Sequence, residues 1–303
     1  MSLFTRALLG VTERKPVEKL ITSSRAGRSL ARRFVAGETL EEALRVAAGL
    51  NRRGTAVSLD HLGEEVTDRG SALAARKDYL ACLDRIAADG LDANISIKLT
   101  QLGLTFEEAL VMEALDELGE AARQAGTTVT IDMEDSRFTQ FTVELYEQAQ
   151  QVHGNFGLAL QAYLYRSPAD LARLLPAGGH IRLCKGAYLE PPEVAFQVKE
   201  EVDVAFARLL ETLMGDQLVS PAVATHDADL IDLTRRLAAK RSEPFEFQML
   251  YGVRPALQQE LTRQGYPLRV YVPYGSQWYP YLTRRLAERP ANLGFFLRAL
   301  AGR

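Results

Sequence analysis

The sequence predicts an α/β protein, a closed (βα)8 TIM-type barrel with an N-terminal helical arm. From residue 55 onward, short apolar runs rich in β-branched residues alternate with longer stretches of helical period. These runs number eight, which is the number of parallel strands that closes such a barrel. A length of 303 residues also suits one barrel of about 250 residues and an extension.

The first 54 residues contain only helical patterns. One helical stretch begins at Pro16 and ends in a glycine stop at Gly37, and a second begins after Thr39, an expected N-cap. We therefore expect an arm over residues 1–54 and a catalytic barrel over residues 55–303. The apolar start of the chain is soon followed by charges and has no small-residue cleavage site, which predicts a short amphipathic helix rather than a signal peptide.

The eight predicted strands follow in order, each with a helical stretch behind it. They span residues 55–63, 93–99, 128–133, 157–163, 180–186, 221–227, 245–250 and 269–275, and clear helical stretches cover 71–90, 105–126 and 229–240. A doubly wound open sheet is the alternative. It would normally place a glycine-rich phosphate loop in its first turn, but the chain contains no GxGxxG or GxxxxGK[ST] motif.

Composition and residue counts exclude several classes of function. A net charge of −3 gives no footprint for nucleic acid. Two cysteines offer no disulfide framework, and no apolar run approaches the ~18 residues that span a bilayer. The four histidines form no HxH or HExxH set, so we expect no metal. These features predict a soluble cytoplasmic protein.

Polar residues stand at the carboxyl ends of most predicted strands, where barrel enzymes place their chemistry. A single charged residue there commonly begins a solvated loop, but polar residues on most of the eight strands, at the same end, predict a polar pocket. The residues are Lys98, Asp132, Gln161, Arg182, Lys185, Thr225, His226, Asp227, Gln248, Tyr271 and Tyr274.

The last predicted helix has a charged face. Tyr281, Arg284, Arg285 and Glu288 stand at positions i, i+3, i+4 and i+7, which share one side of a helix. If that side faces the barrel mouth, both guanidiniums join Lys98 as three cations suited to a carboxylate, and Glu288 braces an arginine. A solvated helix held by its own salt bridges is the alternative.

A Schiff-base aldolase is a second use for a lysine at a strand end. Lys98 or Lys185 would then need a lowered pKa. Lys98 lies beside Asp132 on the adjacent strand, and a neighbouring carboxylate favours the charged ammonium. The pattern therefore favours anion binding by Lys98.

The chain resembles the proline dehydrogenase family, in its short, monofunctional, flavin-dependent bacterial form. The resemblance covers roughly residues 55–292 and is most specific in RLCKGAY and in YLTRR followed by Glu288. The matching stretches are, in order, LDHLGEE, SIKLTQLGL, IDMEDS, LQAYLYR, RLCKGAY, THD, QMLYG, YVPYG and YLTRRLAERPAN. It implies a barrel distorted so that the last helix caps the mouth, over the substrate.

The resemblance also implies roles for individual residues. Arg284, Arg285 and Lys98 would clamp the substrate carboxylate, and Glu64 would pair with the second arginine, Arg285, and close the site. Tyr281, Tyr271, Leu250 and Tyr188 would surround the substrate ring, Asp132 would orient the pocket, and Arg182 would lie near flavin N5. The FAD contacts would be Gln161, Arg182, Cys184, Lys185, Gly186, Ala187, Tyr188, Thr225, His226, Asp227, Gln248 and Tyr251. Cys184 and Asp227 depart from the valine and asparagine common in the family.

The implied reaction oxidises L-proline to 1-pyrroline-5-carboxylate, with hydride passing from C5 to flavin N5 and electrons passing on to a membrane quinone. The catalytic residues would be Lys98, Asp132, Arg182 and Tyr271. A quinone acceptor implies peripheral contact with the inner face of the membrane, and the oligomeric state stays open. The alternatives are a flavin barrel similar to methylenetetrahydrofolate reductase, the Lys98 or Lys185 aldolase, and a non-enzymatic barrel that binds an anionic metabolite.

Overall fold

The computed structural model describes residues 21–22 and 24–288, with the backbone alone at 25–26 and 286–288. The amphipathic helix predicted at the start of the chain lies outside the described residues. Eight parallel strands form a closed barrel in which the last strand pairs with the first. They are β1 Ala56–His61, β2 Ala93–Ile97, β3 Val129–Ile131, β4 Phe156–Gln161, β5 Gly179–Cys184, β6 Val219–Ala224, β7 Glu246–Leu250 and β8 Leu268–Tyr274. The predicted barrel is confirmed.

A helix follows every strand, as the alternating pattern predicts. The described residues before the barrel include two helices, α1 Arg25–Ala31 and α2 Leu40–Asn51. The helices after the strands are α3 Arg69–Ala88, α4 Glu108–Gln124, α5 Thr139–His153, α6 Ser167–Leu174, α7 Lys199–Gly215, α8 Ala228–Ala238, α9 Pro255–Arg263 and α10 Trp278–Glu288. A 3₁₀ turn, Thr100–Leu102, lies directly after β2.

The strands are buried on both faces, which explains why they read as continuous apolar runs. β2 and β4 are buried along their whole length. Outward side chains such as Leu59 and Ile97 pack beneath the helices without exposure to solvent. Each such side chain contributes about 2 kcal/mol by leaving water. The polar residues of these strands are therefore confined to the barrel interior and its mouth.

The arm packs on the barrel in two places. Thr39 caps α2 in a capping box with Glu42, as predicted, and α2 buries Leu44 and Leu50 in the main core. The preceding helix ends earlier than predicted, at Ala31, and Gly37 (φ +116°) belongs to the link between the two helices. The division at residue 54 stays a prediction, because α2 and the barrel share one core.

A second, smaller core joins the arm to α10. Phe34 and Val35 pack with Tyr281 and Leu282, and Leu62 from the loop after β1 completes the cluster. The last helix is thus held between the arm and the carboxyl end of the barrel. Among the described residues, no helix is both long and apolar enough to cross a membrane.

Candidate active site

A cluster of two cations, two carboxylates and a phenol lies at the carboxyl end of the barrel. Lys98 Nζ lies 2.8 Å from Asp60 Oδ1 and 3.5 Å from Asp132 Oδ2. The other oxygen of Asp132 accepts a hydrogen bond from Arg182, and Tyr271 donates to Oδ2 over 2.6 Å. Lys98 is 6% exposed and Arg182 5%. Four of the predicted residues lie together here: Lys98, Asp132, Arg182 and Tyr271. Asp60 compensates the charge of Lys98, and Asp132 compensates that of Arg182.

Lys98 and Tyr271 both keep their protons in this cluster. Burial alone would lower the pKa of Lys98, but the negative charge of Asp60, with a further contribution from Asp132, holds it well above its usual value. Burial, reinforced by the charge of Asp132, raises the pKa of Tyr271 well above 10. Lys98 is therefore a cation and Tyr271 a hydrogen-bond donor. A protonated Lys98 is unsuited to form a Schiff base.

Arg182 is fixed on several sides. Its Nε donates to Gln248 Oε1 on β7, and one Nη donates to Ser96 Oγ on β2 over 2.9 Å. The guanidinium also lies over the Tyr271 ring, 5.2 Å from the centroid. A planar group held in this way has little freedom to turn, so its orientation is pre-organised.

The last helix contributes Arg284 to the mouth of the barrel. Arg284 donates to Glu64 Oε1 over 2.7 Å and lies over the Tyr188 ring at 5.7 Å. Glu64 lies in the loop after β1 and Tyr188 in the loop after β5, so α10 spans the mouth. The resemblance implied that Glu64 pairs with Arg285, and this was wrong. Successive helical residues point about 100° apart, and the helix turns Arg284 toward Glu64.

Charges at the mouth keep Glu64 ionised. Burial would raise its pKa, but Arg284 and Lys98 outweigh that effect and lower it. The Arg284 pKa is raised: burial opposes its charge, and Glu64 restores it. The pair therefore persists across the ordinary pH range.

Tyr281 and Arg285 lie on the same helix and contact each other. Tyr281 is buried, and the Arg285 guanidinium lies over its ring, 5.3 Å from the centroid. The side chain of Glu288 lies outside the described residues, and its predicted role stays a prediction. The charged face predicted for this helix thus faces the barrel at Arg284, not solvent.

Predicted cofactor residues line the rim from β4 to β7. Gln161 donates to the carbonyls of Met133 and Glu134, and its Oε1 is buried without a hydrogen-bond donor among the described residues. His226 accepts from the Leu250 N–H over 3.0 Å. The remaining predicted residues stand at strand ends or in the loops that follow, except Gln248, which lies within β7. They are Cys184, Gly186, Ala187, Tyr188, Thr225 and Tyr251. Their roles stay predictions.

Lys185 points into an ion-pair cluster. Its Nζ contacts Asp203 on α7 and lies 2.9 Å from Asp227, the N-cap of α8. Burial would raise the Asp227 pKa, but Lys185 and Lys199 lower it to about 2. The Lys185 charge is thus already compensated within the protein.

Three residues with a part in the site escaped the sequence reasoning. Asp60 is the nearest carboxylate to Lys98, Glu134 is buried beside the site, and Thr100 donates two hydrogen bonds to Glu134. Asp60 left a signal, because an aspartate inside an apolar strand is unusual. Glu134 left one as well, because it is a charged residue directly after the third predicted strand. Its pairing with Thr100 left no signal, since the two residues follow different strands.

Glu134 should make stability depend on pH. Burial raises its pKa from 4.5 to about 7, although hydrogen bonds from Thr100 and the charge of Lys98 oppose the rise. Between these values the folded protein binds more protons than the unfolded chain, so stability falls as pH rises. Glu134→Gln removes the ionisable group, so the variant does not lose stability in this way. Its free energy of unfolding relative to wild type should increase by roughly 3 kcal/mol between about pH 5 and pH 8.

Denaturant unfolding at a series of pH values measures this difference. Glutamine offers Thr100 one carboxylate oxygen fewer, and this loss lowers the free energy of unfolding by the same amount at every pH. The test therefore depends on how the difference between variant and wild type changes with pH. Thr142→Val, which removes no ionisable group, is the control and should give a flat difference. Parallel profiles for Glu134→Gln and wild type would contradict the raised pKa.

Comparison with known proteins gives one consistent result. A family model described as proline dehydrogenase matches residues 43–298. Proline dehydrogenase 1 of Bacillus subtilis strain 168 is 42% identical over 275 residues, which are 89% of this chain and 90% of that protein. Proline dehydrogenase of Deinococcus radiodurans is 37% identical over 307 residues, 98% of each.

A solved structure gives the same fold. Proline utilization A from Bdellovibrio bacteriovorus, inactivated by N-propargylglycine, matches with a TM-score of 0.81 and 24% identity. The match covers 86% of this chain and 33% of that one. This chain therefore spans about a third of that larger protein, and at this identity the likeness shows the fold alone.

Proposed function

The chain belongs to the proline dehydrogenase family, and from that premise we propose that it oxidises L-proline to 1-pyrroline-5-carboxylate with bound FAD. Proline loses a hydride from C5 and the proton of its ring nitrogen, which leaves a C5=N double bond. The observation that carries the proposal is the placement of Arg284 above the buried cluster of Lys98, Asp132, Arg182 and Tyr271.

Substrate binding rests on the cations at the mouth. Arg284 and Arg285 on α10 and Lys98 after β2 offer forked and single donors to the proline carboxylate. Glu64 fixes the plane of Arg284 through two hydrogen bonds. Anchoring the carboxylate fixes the direction of C5, and such orientation can account for several kcal/mol of the barrier. Tyr271, Tyr281, Tyr188 and Leu250 are proposed as the walls around the ring.

The residues present fit a flavin along the rim from β4 to β7. The buried Oε1 of Gln161 has no hydrogen-bond donor among the described residues, and a ring N–H of the flavin could donate to it. Arg182, His226, Thr225, Gln248 and the loop from Cys184 to Tyr188, with Asp227 and Tyr251, are the proposed contacts. When bound, FAD accepts the hydride that leaves C5. Arg182 supplies a fixed guanidinium that stabilises the negative charge gained on reduction.

Solvent water is the proposed acceptor of the amine proton. The pKa values of Lys98, Tyr271 and Arg284 are all raised, so these groups hold their own protons and are poor bases. The membrane quinone as electron acceptor and peripheral contact with a membrane are proposed from the family resemblance.

Deuterium labelling tests the proposed bond cleavage. With 5,5-dideuteroproline, mass spectrometry should show that the product retains one deuterium. The rate of flavin reduction by this substrate should show a primary isotope effect. Proline labelled at C2 should give product with its full label and no primary effect. Loss of label from C2 rather than C5 would overturn the proposed reaction.

Glu64→Ala should change substrate binding and leave flavin content intact. The variant frees Arg284 from its partner, so the guanidinium loses its fixed orientation toward the carboxylate. We expect KM for proline to change by roughly 10-fold, as breaking a hydrogen-bonded charge pair costs about 1 to 3 kcal/mol. Glu107→Ala, which breaks the exposed pair with Arg69, is the control. An unchanged KM in Glu64→Ala would remove Glu64 from the site.

A further inference from the structure

The loop that carries Glu64 is hydrogen-bonded to the buried Thr100. This loop, residues 62–68, connects β1 to α3. Glu65 N–H donates to Thr100 Oγ1 over 2.9 Å, and Val66 N–H donates to the Thr100 carbonyl over 3.3 Å. Thr100 is fully buried in the 3₁₀ turn after β2. The residue next to Glu64 is therefore tied to the interior at one point.

Glu134 fixes the direction of that hydroxyl. Thr100 Oγ1–H donates to one oxygen of the Glu134 carboxylate, and Thr100 N–H donates to the other over 3.0 Å. A threonine hydroxyl has one proton, so donating it to Glu134 turns an oxygen lone pair toward Glu65 N–H. The buried carboxylate thereby orients the acceptor that holds the loop.

Glu65 has an unfavourable backbone conformation that needs support from neighbouring groups. Its φ is +51°, in the left-handed region that residues other than glycine rarely adopt. Such a conformation persists where neighbouring groups determine it. Thr100 holds Glu65 from inside, and Arg137 holds its carboxylate from outside at 2.7 Å. The turn directs the preceding side chain, Glu64, toward Arg284.

We infer that Thr100, held by Glu134, is a positioning residue that sets proline affinity by fixing Glu64 against Arg284. The inference rests on the proposed function. In the described part of the chain Thr100 bonds to Glu65, Val66 and Glu134 but not to Arg284, so we expect its effect to pass through the loop. Removing its hydroxyl leaves the part-buried Glu65 N–H and one buried Glu134 oxygen without this hydrogen bond, which favours a displaced loop.

Thr100→Val tests the inference, because valine keeps the shape and removes the hydroxyl. At about pH 8, above the pKa of Glu134, KM for proline should rise roughly 3- to 10-fold while kcat changes less than about twofold. Thr100→Ser restores the hydroxyl and should return KM to the wild-type value. Thr142→Val is the matched control: Thr142 is equally buried, but its hydroxyl has no hydrogen-bond partner in the described structure. It should leave KM unchanged.

A double-mutant cycle identifies the route of the effect. In a Glu64→Ala background, Thr100→Val should change KM no further, because the loop no longer has Glu64 to position. Calorimetric affinity for cyclopentanecarboxylate, a ring carboxylate that lacks the amine, should follow the same pattern without turnover. A full effect in the Glu64→Ala background would overturn the inference, since Thr100 would then act elsewhere, for example through nearby Lys98.

Two further results keep the test decisive. If Thr100→Val does not fold, Glu134→Gln is used instead, because it removes one acceptor from Thr100 and should give a smaller KM rise that also disappears with Glu64→Ala. Wild-type KM in every Thr100 and Glu134 variant would refute the inference. Failure of the wild-type protein to oxidise proline would instead refute the proposed function, so the two failures are distinguishable.

Discussion

Arg285→Met should raise KM for proline about 100-fold, equivalent to roughly 3 kcal/mol, because truncating one partner of a hydrogen-bonded charge pair costs about 2 to 5 kcal/mol. Methionine keeps much of the aliphatic volume and removes the forked donor. The flavin content should stay unchanged, since Arg285 is not among the proposed flavin contacts. Initial rates over a range of proline concentrations, with an artificial electron acceptor, measure the effect.

Two further variants define what the guanidinium contributes. Arg285→Lys retains charge without the fork and should lie between wild type and Arg285→Met. Arg85→Met on α3, which removes an exposed arginine paired with Asp89, is the control and should behave as wild type. If proline affinity survived the combined loss of Arg284 and Arg285, the proposed carboxylate clamp would be wrong.

Arg182→Met should slow flavin reduction by about 100- to 1000-fold, the range found when one pre-organised donor to a developing charge is removed. The reduction potential of the bound flavin should become more negative, because the reduced, anionic form loses a neighbouring cation. Anaerobic stopped-flow mixing with proline gives the rate, and equilibration with redox dyes gives the potential.

Loss of Arg182 also destabilises the fold, because Asp132 and Gln248 lose a buried donor. Arg241→Met is the control for that effect. Arg241 donates to the carbonyls of Met214 and Val219, far from the barrel mouth. The Arg241→Met variant should have a lower free energy of unfolding, but the reduction potential of its bound flavin should equal that of wild type. A potential unchanged in Arg182→Met would separate Arg182 from the flavin.

Most of the fold could be predicted because its signals are local. Buried parallel strands read as continuous apolar runs, and the helix period between them is visible without any neighbour. The position of Lys98, Asp132 and Arg182 at one end of the barrel followed from the strand ends alone. Barrel geometry then brings together residues that are far apart in sequence.

Pairings across the mouth could not be predicted because they depend on small rotations and on loop paths. Arg284 and Arg285 are neighbours in sequence, but about 100° of helical rotation decides which of them meets Glu64. Asp60 binds Lys98 more closely than Asp132 does, a difference of 2.8 against 3.5 Å that spacing cannot resolve. The hydrogen bonds of Thr100 to Glu134 and Glu65 join three segments, none of which shows the pairing on its own.

The most direct test of the account is the absorbance of the purified protein before and after L-proline is added without oxygen. We expect a yellow protein with the absorbance bands of oxidised flavin, which bleach on addition of L-proline and return with an artificial acceptor. NADH should bleach the flavin far more slowly than proline. A colourless protein, or a yellow protein that only a nicotinamide bleaches, would contradict the account.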